Sequence, residues 1–283
     1  MIDNLKIDLK NKLKYLGITS GRTIFVQSDL FSFMGVARIV TPKKLPELVL
    51  DCLIEAVGSS GTIVMPSFTT DCARKGLAFD LHQTPSDSGA LVEYMRKRPG
   101  TFRSLHPVNS VIASGNLAES LTKDVSPGSY SWDSPFDRMV SCDTIVLCMG
   151  MKANLSNSFS HLAETKANLP YLYNKMLDYV KVSVNGVTVS RQFYMTVRYI
   201  NFDIKPDRKR HDQVMKESGL MRFYDWGGGN LHAINLSDYL DILKHCLSDD
   251  IFFLLAHPPV FRKNHPPYDG IVIKNAGQTD ERV

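Results

Sequence analysis

Three short apolar segments follow one pattern in the first 150 residues, a threonine and then a run of branched or aromatic side chains. They are Thr23–Gln27, Gly61–Pro66 and Asp143–Leu147. Before and between them, apolar residues recur with helical spacing, as in Leu5–Leu16 and in the segment from Leu45 to Gly58. Continuous apolar runs that alternate with helical patterns are typical of buried parallel strands. We therefore predict an α/β fold of three layers, α/β/α, with a largely parallel, mixed central sheet.

The second half of the chain has a different pattern. Tyr179–Val184 and Val187–Phe193 flank an Asn185-Gly186 pair, which is the strongest short signal for a β-hairpin. We predict an antiparallel and helical annex within residues 176–250. Because no stretch of linker composition divides the chain, we predict a single domain over residues 1–283.

Composition narrows the classes of function. The 283 residues are 43% hydrophobic and 22% charged, and the net charge of +4 is spread along the chain, so we expect no nucleic-acid partner. Five cysteines without a CxxC pair indicate reduced thiols and a cytoplasmic protein. No apolar run is long enough to span a bilayer, so we expect no membrane partner.

The candidate chemistry follows the third apolar segment. In α/β folds the loops after the strand ends form the ligand crevice. Here the third such loop leads into Asn157–Glu164, where His161 and Glu164 are three residues apart and share one helix face. Such pairs are most often solvated surface pairs. If the face lines a pocket, however, the carboxylate can orient the imidazole as a general base.

Known signatures leave two chemical alternatives for this pair. The chain has no nucleophile elbow, no Walker loop, no dinucleotide fingerprint and no zinc-protease motif. The serines near the crevice have no base at a recognisable offset, so a covalent serine mechanism has no support. One alternative is an oriented base that activates an amine or a hydroxyl. The other is a metal-dependent hydrolase in which His161, Glu164 and a distant His or Asp bind zinc; our first hypothesis is the base, and we expect no metal.

Seven segments stand in a characteristic order: Val26–Ser28, Gly61–Thr69, Phe79–Asp80 with Thr84–Pro85, Gly89–Leu91, Arg103–Ser110, Ser134–Phe136 and Ser158–Glu164. Together they resemble the aminoglycoside 3-N-acetyltransferase family. The resemblance runs from about residue 20 to about residue 175 and continues more weakly to about residue 245. It implies an α/β enzyme that transfers an acetyl group from acetyl-CoA to the primary amine of a small molecule.

The resemblance also implies roles for particular residues. His161 would be the general base and Glu164 its orienting partner. Ser158 stands where the family usually has threonine, so the catalytic hydroxyl is kept. Five further residues fall in motifs that line the pantetheine and acyl end of the CoA site: Ser28, Arg103, Ser104, His106 and Ser110. From the residues alone, His106 before Pro107 fits a structural turn equally well.

The acceptor is less well defined. The chain has Gln27-Ser28-Asp29 where the family often has histidine and two serines, and residues 34–42 lack the family's tryptophan and glycine pair. Asp71 and Asp133 are our candidates for binding the substrate amine. Because basic residues accompany them and the chain is net positive, we expect an acceptor less cationic than an aminoglycoside, such as a nucleotide-linked amino sugar. A non-catalytic CoA-binding homologue is a further alternative, and a homodimer is compatible with the sequence.

Overall fold

A computed structural model describes residues 1–151, 158–199 and 202–261; Asn157 lies outside these ranges. The strands are β1 Thr23–Ser28, β2 Thr62–Pro66, β3 Phe79–Asp80, β4 Phe102–Arg103, β5 Val111–Gly115, β6 Thr144–Met149, β7 Leu172–Met176, β8 Val182–Val184, β9 Val187–Thr188, β10 Tyr194–Arg198, β11 Arg222–Trp226 and β12 Gly229–Asn235. The helices are α1 Ile2–Tyr15, the 3₁₀ helix Leu30–Val36, α2 Leu45–Val57, α3 Thr70–Lys75, α4 Ala90–Arg96, α5 Ala118–Thr122, α6 Pro135–Val140, α7 Ser158–Lys166, α8 Arg208–Glu217 and α9 Leu236–Asp249.

The central sheet has seven strands in the order β11-β12-β6-β1-β2-β5-β4. The three strands predicted from the apolar segments are β1, β2 and β6, and β1 pairs in parallel with both of the others. The outer pairings, from β12 to β6 and from β2 to β5, are antiparallel. The predicted α/β fold with a mixed sheet is therefore confirmed, with its parallel part confined to the three central strands.

Helices cover both faces of this sheet. Alternate side chains of β1 point to opposite sides, so that Ile24 and Val26 enter a core beneath α1, α2, α4 and the 3₁₀ helix. Phe25 enters a second core with residues of α5, α6, α7 and α9. Strand residues alternate between faces with a period of two, and a sheet that is apolar on both faces needs a layer of helices on each. The three predicted layers are present.

Two small sheets carry the antiparallel part. The predicted turn at Asn185-Gly186 joins β8 to β9, and both turn residues have positive φ. The Asp80 carboxylate accepts hydrogen bonds from the Gly186 N–H and the Ser183 hydroxyl, and β3 pairs with β8. Separately, β7 and β10 form a two-stranded antiparallel ribbon.

Residues 176–250, for which we predicted an annex, contribute strands to more than one sheet. The strands β11 and β12 extend the central sheet beside β6. The reason is visible in β12, where Leu231, Ala233 and Ile234 are buried between the helix layers as in any central strand. The single domain over 1–283 stays a prediction. All five cysteines are free, and none of the helices in the described ranges has the length and apolar character that a membrane span requires.

Candidate active site

Five strands bring their ends to one edge of the central sheet. The parallel strands β1, β2 and β6 finish there, and β5 and β12 begin there because they run in the opposite direction. Four side chains at this edge carry a buried polar atom without a hydrogen-bond partner among the described residues: Gln27 Oε1, Ser67 Oγ, Asn109 Oδ1 and Asn230 Oδ1. Because buried polar atoms are normally hydrogen bonded, this edge has the character of a binding site for a polar ligand.

The predicted pair lies on α7, the helix that follows β6 at this edge. His161 Nδ1 is 2.8 Å from Glu164 Oε2. The Glu164 side chain is 1% exposed, whereas the His161 side chain is 42% exposed. Burial raises the pKa of Glu164, but the hydrogen bonds and positive charges of His161 and Arg198 outweigh burial and lower it. An ionised carboxylate only accepts hydrogen bonds, so Nδ1 of His161 donates to Glu164, and Nε2 lies on the other side of the ring, away from Glu164.

Glu164 accepts hydrogen bonds from two more side chains, neither of which was predicted from the sequence. Tyr171 donates its hydroxyl to Oε1 at 3.1 Å, and Arg198 Nη2 approaches the same oxygen at 2.6 Å. Arg198 lies on β10, 34 residues from Glu164 along the chain. No local spacing connects the two, so only the position of the ribbon beside α7 reveals the contact.

A cavity of about 250 Å³ opens beside the pair. Its lining comes from α7 and the ribbon: His161, Glu164, Leu172, Met195, Thr196, Val197 and Arg198. Pockets for whole drug-sized ligands are usually larger, at about 300 to 1,000 Å³. The cavity therefore suits one part of a ligand, held against the exposed imidazole.

Tyr130 connects the pair to the second polar motif. Its ring centroid lies 5.4 Å from that of His161, tilted by 41°. Its hydroxyl is hydrogen bonded to Ser158 and accepts from Asn109 Nδ2 at 3.4 Å. Burial raises the pKa of Tyr130 far above its ordinary value, and the hydrogen bond from the Ser158 hydroxyl opposes this only in part, so the phenol keeps its proton. Neither Tyr130 nor Asn109 was predicted.

His106 holds a loop in place. The side chain is buried. Nδ1 accepts the backbone N–H groups of Val108 and Asn109 at 3.1 and 2.9 Å. Nε2 then carries the proton and donates to the Tyr194 carbonyl at 3.1 Å. Burial lowers the pKa of His106 to about 4. A neutral imidazole with both nitrogens engaged positions Asn109, and through it Tyr130.

The remaining residues of the motif are also bonded within the protein. Arg103 donates from Nε to Ser110 Oγ at 3.0 Å and from Nη2 to the Ser67 carbonyl at 3.0 Å. Ser104 Oγ accepts the Val111 N–H at 2.9 Å. These groups shape the edge from within. Contact of their side chains with CoA stays a prediction.

The structure places Ser28 at the crevice and gives the two aspartates partners of their own. Ser28 ends β1 opposite Met149 of β6, and it is half-buried. Asp71 pairs with Lys75 at 2.8 Å, both being substantially exposed. Asp133 binds Arg138 with both oxygens, at 2.7 and 3.0 Å. In the described part of the chain no hydrogen bond or ion pair joins either aspartate to the His161–Glu164 pair, so their role in substrate binding also stays a prediction.

Metal binding receives no support from side-chain clustering. Within residues 1–151, 158–199 and 202–261, no three His, Cys, Asp or Glu side chains are grouped so that they could hold an ion. The zinc alternative for His161 and Glu164 would need a third ligand, and Arg198 and Tyr171 occupy the inner side of Glu164 instead.

Comparison with known proteins identifies the family. A sequence model of the aminoglycoside 3-N-acetyltransferase family matches residues 32–248. The chain belongs to this family. The match begins after β1 and includes β2, β6, α7 and the ribbon. The His161–Glu164 pair therefore lies within the part of the chain on which membership rests.

One relative and two solved structures illustrate the similarity. The chain is 33% identical over 172 residues to aminoglycoside N(3)-acetyltransferase IV of Salmonella sp, covering 59% of this chain and 60% of that protein. The aligned part thus spans about three fifths of that relative. The apoenzyme structure of aminoglycoside acetyltransferase AAC(3)-IVa is 26% identical, with a TM-score of 0.71 over 90% of this chain and 92% of its own. The binary complex of AAC-IIIb with CoASH, 21% identical, has the same fold, with a TM-score of 0.70 over 86% and 96%.

Proposed function

We propose that this protein is an acetyl-CoA-dependent N-acetyltransferase that acetylates a primary amine of an amino sugar, with His161 as general base. One observation carries the proposal. A half-exposed imidazole is tied through Nδ1 to a fully buried, ionised carboxylate, and it faces a cavity. Family membership supports acetyl transfer as the reaction.

The chemistry needs no covalent enzyme intermediate. The nitrogen lone pair of the acceptor amine attacks the thioester carbonyl carbon, and Nε2 of His161 takes a proton from that nitrogen. When the C–S bond breaks, its electron pair goes to sulfur, and the imidazolium returns a proton to the leaving thiolate. The products are an acetamide and the CoA thiol. Oriented general base catalysis contributes roughly a hundredfold to ten-thousandfold.

Ser158 is proposed to stabilise the developing oxyanion. The hydrogen bond to Tyr130 holds the Ser158 hydroxyl in place. Because the phenol keeps its own proton, it can donate to the Ser158 oxygen when the serine proton turns towards the oxyanion. A positioned hydroxyl that donates to the oxyanion stabilises the transition state more than the ground state. The unpartnered polar atoms at the sheet edge fit the amide-rich pantetheine arm of acetyl-CoA, and the CoASH complex of AAC-IIIb supports the same donor.

For the acceptor we propose an amino sugar that is less cationic than an aminoglycoside, such as a nucleotide-linked amino sugar. The observation is that the predicted acidic ligands are already paired, Asp71 with Lys75 and Asp133 with Arg138. A dedicated site for a polycation would present unpaired carboxylates. The names of the relatives favour an aminoglycoside as the alternative, and Asp71 could serve it because an exposed ion pair opens at little cost.

The test is a thiol-release assay with acetyl-CoA against a panel of aminoglycosides and nucleotide-linked amino sugars. With the best acceptor, His161→Ala should lose roughly a hundredfold to ten-thousandfold in kcat. CoA should still raise its melting temperature, because the base is not needed for binding. His245→Ala, which alters an exposed histidine of α9, is the matched control. Near-normal turnover by His161→Ala would refute the assignment.

The same measurements distinguish the two alternative functions, a non-catalytic homologue and a metal-dependent hydrolase. Stabilisation by CoA without transfer to any amine would indicate a non-catalytic homologue. Hydrolysis that a chelator abolishes would indicate the metal enzyme. The cytoplasmic location and the homodimer stay predictions.

A further inference from the structure

Arg198 is the feature of the site that the proposed reaction does not use. It reaches Glu164 from the ribbon, on the oxygen opposite to the one that His161 binds. Its side chain is 23% exposed and that of Glu164 is 1% exposed, so water screens this ion pair poorly. It lines the cavity together with His161. Its position therefore gives it direct influence on the charge of the pair.

The other titratable groups around Glu164 are neutral. They come from four elements: Tyr130 from the loop before α6, Tyr171 from the segment before β7, His211 from α8 and Tyr239 from α9. Burial raises the pKa of each tyrosine and lowers that of His211. Asp212 acts on His211, and Asp250 acts on Tyr171. Within the described residues, Arg198 is thus the permanently charged cation in contact with Glu164.

The contact with Arg198 determines how the negative charge of Glu164 is neutralised. A buried carboxylate must be neutralised by a nearby positive charge or take up a proton. If His161 alone faced Glu164, the carboxylate would stabilise the imidazolium, and a protonated imidazole cannot accept a proton from the amine. With Arg198 on the second oxygen, the carboxylate is already neutralised and can still orient Nδ1.

We propose that Arg198 is a positioning residue that keeps Glu164 ionised and His161 unprotonated, so that the base works at neutral pH. It acts through Glu164 and need not touch the acceptor. The expected consequence of its loss is a specific one. The acidic limb of the profile of kcat/KM against pH moves to higher pH, because the imidazolium becomes the partner that neutralises Glu164.

The direction of the shift follows from Coulomb's law. Removing the positive charge from one oxygen of Glu164 leaves more of its negative charge to stabilise an imidazolium at the other oxygen. Since 42% of the His161 side chain is exposed, solvent weakens the effect but does not change its direction. At pH 7 the activity falls accordingly, and it recovers in part at pH 8.5.

The experiment compares three variants. Arg198→Met removes the charge and keeps a similar length of apolar stem. Arg198→Lys keeps the charge, and its acidic limb should stay near that of the wild type. Arg191→Met is the matched control: this exposed arginine precedes the same ribbon and donates to the Val125 carbonyl, away from Glu164. It should leave the limb unchanged.

A second measurement does not depend on turnover. With labelled histidine, the His161 imidazole can be followed by NMR through a pH titration of the protein without substrates, and assigned by its absence in His161→Ala. In Arg198→Met its midpoint should move to higher pH. The kinetic profile rests on the proposed acetyl transfer, whereas the titration does not. An inactive wild type would therefore defeat the proposed function and leave the titration as the test of Arg198.

Two outcomes would overturn the inference. One is an unchanged His161 titration and an unchanged acidic limb in Arg198→Met, even if kcat or the melting temperature falls, since that is the pattern of a purely structural arginine. The other is an equal shift in Arg198→Lys, which would show that shape rather than charge is responsible.

Discussion

His232 allows a quantitative prediction about stability and pH. It lies on β12, is 1% exposed, and neither ring nitrogen has a hydrogen-bond partner among the described residues. Burial, with a smaller effect of the Lys216 charge, lowers the pKa of His232 from 6.5 to about 4. Below pH 6.5 the unfolded chain therefore binds a proton that the folded chain does not.

The magnitude follows from the size of the shift. Stability is unaffected by His232 above pH 6.5, falls as the pH drops from 6.5 to 4, and levels off below 4. The pKa of His232 falls from 6.5 to about 4, and at about 1.4 kcal/mol per pH unit the full loss is about 3 to 4 kcal/mol. At pH 4.5 about 2 to 3 kcal/mol of this has been lost. His106, whose pKa is also about 4, adds a similar amount, which is a large part of the stability of an ordinary domain.

We predict that His232→Leu loses about 2 to 3 kcal/mol less stability than the wild type between pH 7.5 and pH 4.5, since the substitution removes this one titration. At pH 7.5 it should be at least as stable, because no hydrogen bond between described residues is removed. The measurement is urea unfolding at several pH values, followed by tryptophan fluorescence. His245→Gln serves as the exposed control. Equal losses for His232→Leu and the wild type would refute the reasoning.

Two further substitutions test contacts at the crevice. Tyr130→Phe keeps the ring beside His161 but removes the hydroxyl that binds Ser158 and Asn109. We expect kcat to fall roughly tenfold, in line with the loss of one hydrogen bond, with little change in KM or in the acidic limb of the pH profile. The control Tyr94→Phe, on the opposite face of the sheet, should leave kcat unchanged. Gly150→Ala places a methyl group against the Asp29 carbonyl at a φ of +70°, and it should lower the free energy of unfolding by about 2 kcal/mol or more. Gly186→Ala, with φ +78° and no neighbour within 4 Å, should cost only the backbone strain. Equal losses of the two variants in urea unfolding would contradict the steric argument.

The central part of the fold was predictable because its signals are local. The apolar runs that became β1, β2 and β6 and the Asn-Gly turn at 185–186 each lie within a few residues of sequence. The strands β11 and β12 lie within residues 176–250, for which we predicted an antiparallel and helical annex, and neither strand was predicted individually. Their length and polarity resemble those of any hairpin, and only the available edge of β6 assigns them to the central sheet.

The residues of the site also divide into those that local sequence signals predict and those that only the fold brings together. His161 and Glu164 could be found because one helical turn separates them, and the family resemblance turned an ambiguous pair into a candidate base. Arg198 and Tyr130 could not be found, since their contacts with α7 span more than 25 residues of chain and depend on how separate sheets pack. His106 illustrates the reverse case, because the turn geometry that made it conspicuous is also what its ring nitrogens stabilise.

The position of β12 beside β6 has a consequence for synthesis of the protein. All six residues of β6 are buried, yet its partner on that side begins about 80 residues later in the chain. At about 5 to 20 residues per second, β6 waits roughly 4 to 16 seconds on the ribosome with one edge unpaired. An apolar strand with an open edge is prone to pair with other chains. The yield of folded protein should therefore depend on how fast residues 150–235 are translated, and on chaperones that shield β6 during that interval.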